Sequence, residues 1–194
     1  MSTHGKPYVT RALSPEDARS GFRCGKHPLD DYFARHAVAN DHEGISRTYV
    51  LERVEGADPA LPRVLGFYTL SMADVEAAEV GLALKRKLPR YPMPVALIGR
   101  LAVDRRAQGR RLGEKLLADA LRRVVDVAAK IGCLGVIVDA KDEEVERFYA
   151  RYDFVTVHAM GWPRRMFLPI GVVRAAFTAE PRRWRDDSPP PPAA

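Results

Sequence analysis

Six consecutive residues, Gln108-Gly109-Arg110-Arg111-Leu112-Gly113, stand between an extended apolar run, Val95 to Val103, and the first turn of a long helical stripe. The first backbone N–H groups of a helix have no intrahelical partner, and with the helix dipole they form a seat for a phosphate. Gly109 allows a tight turn there, and Arg110 and Arg111 add positive charge. The segment lacks the GK[ST] of a nucleotide P-loop and the GxGxxG of a dinucleotide fold. A second candidate is Tyr149, in Val145-Glu146-Arg147-Phe148-Tyr149-Ala150-Arg151-Tyr152-Asp153-Phe154. Val145, Phe148, Tyr149 and Tyr152 share one helix face, so the residues by themselves read as aromatic core. Other site chemistries lack their patterns. The five histidines form no HExxH, no GxSxG elbow occurs, and Cys24 and Cys133 are far apart, so no metal site is expected.

The chain that must position these groups has 194 residues, 46% of them hydrophobic, enough for one substantial core. Residues 1–178 are expected to form one domain, and 179–194, ending in Ser188-Pro189-Pro190-Pro191-Pro192-Ala193-Ala194, a Pro-rich tail without a core. The opening residues lack the apolar run of a signal peptide and no later run approaches the length of a membrane span, so no membrane contact and a cytoplasmic location are expected. The net charge of +6 is uneven: Lys85 to Arg111 holds nine basic residues against Asp104, and the rest of the chain sums to −2. Such a block suits a phosphorylated ligand or a nucleic acid, and equally a solvated basic face.

Residues 6–13 read as a strand, and Ser14-Pro15-Glu16-Asp17 as a capped helix start. Leu29, Tyr32, Phe33, His36 and Ala37 repeat as one amphipathic helix ending before Asn40. Ser46 to Val54 and Arg63 to Met72 form an antiparallel strand pair. Gly99 in the middle of the Val95 run marks a bulge or a close backbone approach. Leu116, Leu117, Ala120, Leu121, Val124, Val125 and Ala128 make a long helix closed by Gly132, and Leu134 to Val138 a short apolar strand. Strand, helix and strand give a βαβ unit with parallel strands. A helix over residues 142–152 and a strand over 155–160 follow.

At these positions the sequence resembles the GNAT superfamily of N-acetyltransferases. The family's Gln/Arg-x-x-Gly-x-Gly/Ala signature is matched at Gln108 and Gly113, with Arg111 in place of the middle Gly. Its Phe-Tyr-x-x-x-Gly-Phe phrase is matched at Phe148, Tyr149 and Phe154, with Asp153 in place of Gly. The resemblance implies an α/β (α+β) fold with a mixed central sheet of about six to seven strands flanked by helices, and acetyl-CoA as co-substrate. Leu101, Ala102 and Val103 would lie along the pantetheine arm. Arg106, Gln108, Gly109, Arg110, Arg111, Leu112 and Gly113 would meet the phosphates, with Arg105 adding charge. Tyr149 would act as general acid toward the departing thiolate. A phenol with pKa about 10 is matched to a thiol near 8.5. An α-amine with pKa near 8 is already partly neutral at pH 7, so no base is assigned.

Further phrases are similar to one GNAT branch, the acetyltransferase toxins of bacterial toxin–antitoxin pairs. They include Phe22-Arg23-Cys24-Gly25, Leu29-Asp30-Asp31-Tyr32-Phe33, Val64-Leu65-Gly66-Phe67-Tyr68-Thr69, Leu88-Pro89-Arg90-Tyr91-Pro92, Val138-Asp139-Ala140-Lys141-Asp142 and Phe167-Leu168-Pro169. This similarity implies an aminoacyl-tRNA substrate, with Lys85, Arg86, Lys87 and Arg90 on its phosphates. It also implies a ribbon-helix-helix antitoxin as partner and a homodimer. Two rivals stand beside it: a GNAT enzyme acting on a small amine, peptide or protein lysine, and an inactive GNAT-shaped binding module, to which Arg111 and Asp153 point.

Overall fold

The computed structural model describes residues 7–84 and 87–178. Strand β1 (Tyr8–Ala12) leads to a 3-10 turn, Pro15–Arg19, then helices α1 (His27–Arg35) and α2 (Ala37–His42). Strands β2 (Arg47–Arg53) and β3 (Val64–Val75), helix α3 (Ala77–Leu84) and strand β4 (Met93–Val103) follow. Helix α4 (Leu112–Ala128), β5 (Gly135–Ala140), α5 (Glu143–Ala150), β6 (Val155–His158), β7 (Arg164–Pro169) and α6 (Ile170–Thr178) complete the order. One seven-stranded mixed sheet runs β1-β2-β3-β4-β5-β7-β6. Among the described residues only β4 and β5 pair in parallel, which agrees with the expected βαβ unit and fold class.

The 3.6-residue periodicity of α4 turns Leu116, Leu117, Ala120, Leu121 and Val124 onto β3 and β4, in one core with Leu65, Tyr68 and Ile98. The opposite face is covered near α1 by Phe22, Phe33 and Phe67, whose ring centroids lie 4.7–5.3 Å apart, and near α3 by Val75, Val80, Val95, Ile137 and Phe167. Gly66 is required where β3 meets α4. A Cβ there would stand 2.7 Å from the Ala102 carbonyl oxygen and 2.8 Å from Leu116 Cδ1. Gly66→Ala is therefore expected to cost about 1–3 kcal/mol through overpacking, read as a lower melting temperature in thermal denaturation.

The single helix expected over Leu29 to Ala37 is two. His36 (φ −119°, ψ −25°) ends α1 and starts α2, which runs on past Asn40 and brings Asp41 to accept the Thr48 N–H at 2.7 Å. Helices α3 and α6 and strand β7 had no place in the sequence reading. Residues 77–84 are apolar nearly all round and give no stripe, and β7 opens with two arginines before the buried Met166-Phe167-Leu168. The tail over 179–194 lies outside the described residues, as do Lys85 and Arg86.

Candidate active site

β4 and β5 stay together only at Ala96 opposite Val136 and Leu97 opposite Ile137. Further along, β4 remains paired with β3 up to Val103, while β5 continues against β7 up to Ala140, so the parallel pair parts. The parting begins beside a bulge: Thr69 faces Arg100 and Leu70 faces Ile98, leaving Gly99 as the extra residue. Beyond it, one backbone edge of β4 has no neighbouring strand. A cleft of about 420 Å³ occupies this opening, and Leu101, Ala102, Val103, Gln108, Gly113 and Tyr149 all line it. A second hollow of about 270 Å³ adjoins it at the start of α4, with Gly109, Arg111 and Leu112 in its wall.

No side chain caps α4. The Arg111 carbonyl accepts the N–H groups of Glu114 and Lys115, which leaves the N–H groups of Leu112 and Gly113 without intrahelical partners at the hollow. Arg111 itself is left-handed (φ 56°), as are Gly109 (φ 77°) and Asp153 (φ 64°). Both departures from the GNAT pattern thus stand where the backbone calls for the left-handed conformation that glycine adopts at least cost. The chain path is kept although the glycines are gone. The conformational cost is about 1–2 kcal/mol for a residue with a Cβ.

The charged residues around the turn divide into two groups. Arg111 lines the hollow, its Nε 3.3 Å from Glu114. Arg106 does not line either space: its guanidinium grips the fully buried Asp104 through Nε and Nη2, both at 2.9 Å, and its N–H adds a third bond at 3.0 Å. Burial alone would raise the Asp104 pKa, but these bonds and the Arg23 N–H at 3.0 Å outweigh it and hold the carboxyl below its ordinary value. Arg110 also stands outside the lining, with Nη2 3.8 Å from Asp58. Gln108 donates its amide to the carbonyls of Cys24 and Val103, both at 3.1 Å, tying the end of β4 to the chain before α1. Lys87 and Arg90 are exposed, beyond the cleft lining.

Tyr149 is core and also reaches the cleft. Its ring is core, packed against Phe148 and Phe154 with centroids 5.1 and 5.3 Å away, and the residue is only 6% exposed. Yet it lines the cleft, and among the described residues its hydroxyl has no hydrogen-bond partner. Burial pushes the phenol pKa well up, above the value matched to a thiol, so the hydroxyl stays protonated throughout the neutral range and is a weaker acid than a free phenol. The sequence reading missed Cys24, Lys26 and Leu29 on one wall and Asp142, Glu144 and Val145 on the other. Asp142, read as the first residue of a helix over 142–152, is its N-cap and accepts the Val145 N–H at 3.0 Å, and the fold turns this cap to the cleft. Burial raises the Cys24 thiol to about 11, which keeps it un-ionised. Among the described residues no cluster of His, Cys, Asp and Glu could hold a metal ion, and no helix is long and apolar enough to cross a membrane.

A sheet that opens between two parallel strands, an uncapped helix start at one end of the opening and a buried phenol in its wall thus meet in one place. The chain belongs to the GNAT acetyltransferase family, whose domain matches residues 59–161. It is 40% identical over 154 residues to the tRNA-acetylating toxin of Mycobacterium tuberculosis, covering 79% of this chain and 86% of that one. Among solved structures it is similar to a tyrosine-to-phenylalanine mutant of the toxin AtaT bound to the C-terminus of the antitoxin AtaR and acetyl-CoA (TM-score 0.71, 25% identity, 89% and 99% of the two chains). AtaT complexed with acetyl-methionyl-tRNAfMet gives a TM-score of 0.74 at 27% identity, over 88% and 99% of the chains.

Proposed function

We propose that this protein moves an acetyl group from acetyl-CoA to the α-amino group of an aminoacyl-tRNA and so blocks translation as the toxin of a toxin–antitoxin pair. The observation that carries the reading is the cleft between the parted strands, with open N–H groups at the α4 end and Tyr149 in its wall. The relatives supply the substrate class: one is named for acetylating tRNA and another holds acetylated tRNA. An antitoxin partner follows from the same source. The protein works in the cytoplasm, where charged tRNA is found, and residues 1–178 act as the catalytic domain.

The residues fit the co-substrate. The backbone edge of β4 from Leu101 to Val103 pairs with the amides of the pantetheine arm, and the N–H groups of Leu112 and Gly113 with Arg111 hold the diphosphate. Arg106 and Arg110 serve through the loop's shape and its field, since both stand outside the lining. Bound acetyl-CoA supplies a thioester activated for attack. As the attacking nitrogen forms the C–N bond and releases its extra proton to solvent, the C–S bond breaks, Tyr149 gives its proton to the departing sulfur, and the phenolate left behind takes a proton back from solvent. Lys87 and Arg90, with Lys85 and Arg86, meet tRNA phosphates.

Saturating acetyl-CoA, at 100 times its dissociation constant, should add about 2.7 kcal/mol to the native state, and an unchanged melting curve would sink the co-substrate assignment. Arg111→Gly separates charge from backbone. It should leave the melting temperature unchanged or raised, because the left-handed strain is relieved, while weakening acetyl-CoA several-fold and most at low salt. Calorimetric titration alongside melting reads both. The pH profile has a definite sign. The acceptor amine, with pKa near 8, makes the rate rise up to about pH 8. Tyr149 stays protonated above that because its pKa is raised, so no falling limb should appear by pH 9.5 in initial-rate assays.

A further inference from the structure

Strand β3 outruns one of its two neighbours. β2 pairs with it only as far as Arg47 opposite Leu70, whereas β4 follows it on the other side to Met93 opposite Val75. From Ser71 to Val75 one backbone edge of β3 therefore faces no strand, and no loop among the described residues bonds to it. The space beside it is open. A groove of about 410 Å³ has Ser71 and Met72 in its wall, together with Ile45, Arg47 and Val127. Three of these are large apolar side chains left to solvent, with Met72 51%, Ile45 57% and Val127 44% exposed. An unpaired strand edge is a template for another strand.

The segment that fits this edge is the edge itself. The open stretch is closed at one end by β2 and at the other by Glu76, where the chain leaves the sheet for α3. A second copy laid antiparallel with Ala73 opposite Ala73 puts Met72 opposite Asp74 and Ser71 opposite Val75, and satisfies both open edges at once. Neither β3 runs into the other copy's β2, because each turns away just after Val75. An unrelated extended peptide would fill the gap but bring a further open edge of its own, whereas the far edge of a second β3 is already paired with β4. The side chains agree with this register. Ala73 and Val75 face the core under α3, which leaves Met72 and Asp74 exposed on the opposite face. Arg47 lies on that face too, two residues before Tyr49, which stacks on Tyr68. In the pair, the second copy's Asp74 comes about 7 Å along the strand direction from Arg47, within reach of an arginine. Arg47 commits only Nη1, to Asp41 at 3.1 and 3.2 Å, so its other nitrogens are available.

We propose that Ser71 to Val75 is a self-association edge, on which a second copy of this chain pairs its own β3 about a two-fold axis at Ala73 and joins the two sheets into one. The pairing does not depend on which amine the enzyme acetylates. Sedimentation equilibrium of the full-length protein tests it. Wild type should sediment at twice the chain mass of 21.6 kDa. Met72→Glu places a carboxylate opposite the second copy's Asp74, twice by symmetry, and should weaken the dimer about tenfold or more. Its circular dichroism should stay that of wild type, because Met72 is exposed. Adding Asp74→Lys turns both like-charged pairs into opposite ones and should bring the dimer back. Monomeric wild type would overturn the proposal. So would a dimer that Met72→Glu leaves as tight as before, or one that the double variant fails to restore.

Discussion

Tyr149→Phe is expected to lower kcat by about 10²- to 10⁴-fold, the range that removal of one positioned proton donor produces. The argument is one of subtraction. The ring of Tyr149 fills space between Phe148 and Phe154, and phenylalanine fills that space equally. The hydroxyl has no partner among the described residues, so nothing buried is left unpaired when it goes. Melting temperature and acetyl-CoA affinity should therefore stay close to wild type, and the loss should fall on kcat. A fall within threefold would mean that the departing thiolate is stabilised elsewhere and that Tyr149 is only core. Tyr149→Ala would not make this distinction, since it also opens a cavity.

The largest stability effect is expected at Asp104. Its carboxylate is fully buried and accepts from two backbone N–H groups, of Arg23 and Arg106, and from the Arg106 guanidinium. Asp104→Ala leaves these donors facing one another around a void, at a cost of about 3–5 kcal/mol. For a chain of this size that lowers the melting temperature by roughly 6–20 °C. The loss should reach function as well. Asp104 joins the segment before α1 to the turn before α4, and Gln108 and Cys24, held by the same joint, line the cleft. Arg106→Ala should cost less, because that side chain is about half exposed and its loss is partly made good by water.

This contribution has a pH sign. A carboxyl whose folded pKa is depressed stabilises the fold above its unfolded value, near 3.9, and the contribution is lost as pH falls through the folded value. Asp17 behaves in the same way. Burial opposes its ionisation, but Arg11 at 2.7 Å and the N–H and hydroxyl of Ser14 prevail and hold its pKa down. Wild type and Asp104→Ala should thus differ most in melting temperature near neutral pH and converge below about pH 4. Differential scanning calorimetry across pH 3–7 checks this, and a gap that widens in acid would refute it.

The βαβ unit was legible because its signals are local and strong. Leu116, Leu117, Ala120, Leu121 and Val124 repeat at helical spacing, and Gly99 interrupts an apolar strand just where the register shifts. Segments that escaped notice lack such contrast. α3 shows apolar residues on every side, and β7 is inserted between β5 and β6, a non-sequential pairing that no local pattern announces. Site residues divide likewise. Leu101, Ala102, Val103, Gln108, Gly113 and Tyr149, which the resemblance to the GNAT family singles out, line one cleft. Arg106 shares the basic stretch, but its partner Asp104 is two residues away in the same turn, and only the coordinates show that this pair closes on itself. Cys24, Lys26 and Leu29 reach the cleft from the other side of the sheet order, and such long-range convergence leaves no trace in spacing.

The most direct test of the function is transfer of labelled acetyl from acetyl-CoA to a pool of charged tRNA, with uncharged tRNA, polyamines, peptides and proteins in parallel. Label that appears on charged tRNA, is released as an N-acetyl amino acid when the ester bond is hydrolysed, and disappears with Tyr149→Phe is the predicted result. Label on a small amine, a peptide or a protein lysine, with charged tRNA left unmodified, would contradict it.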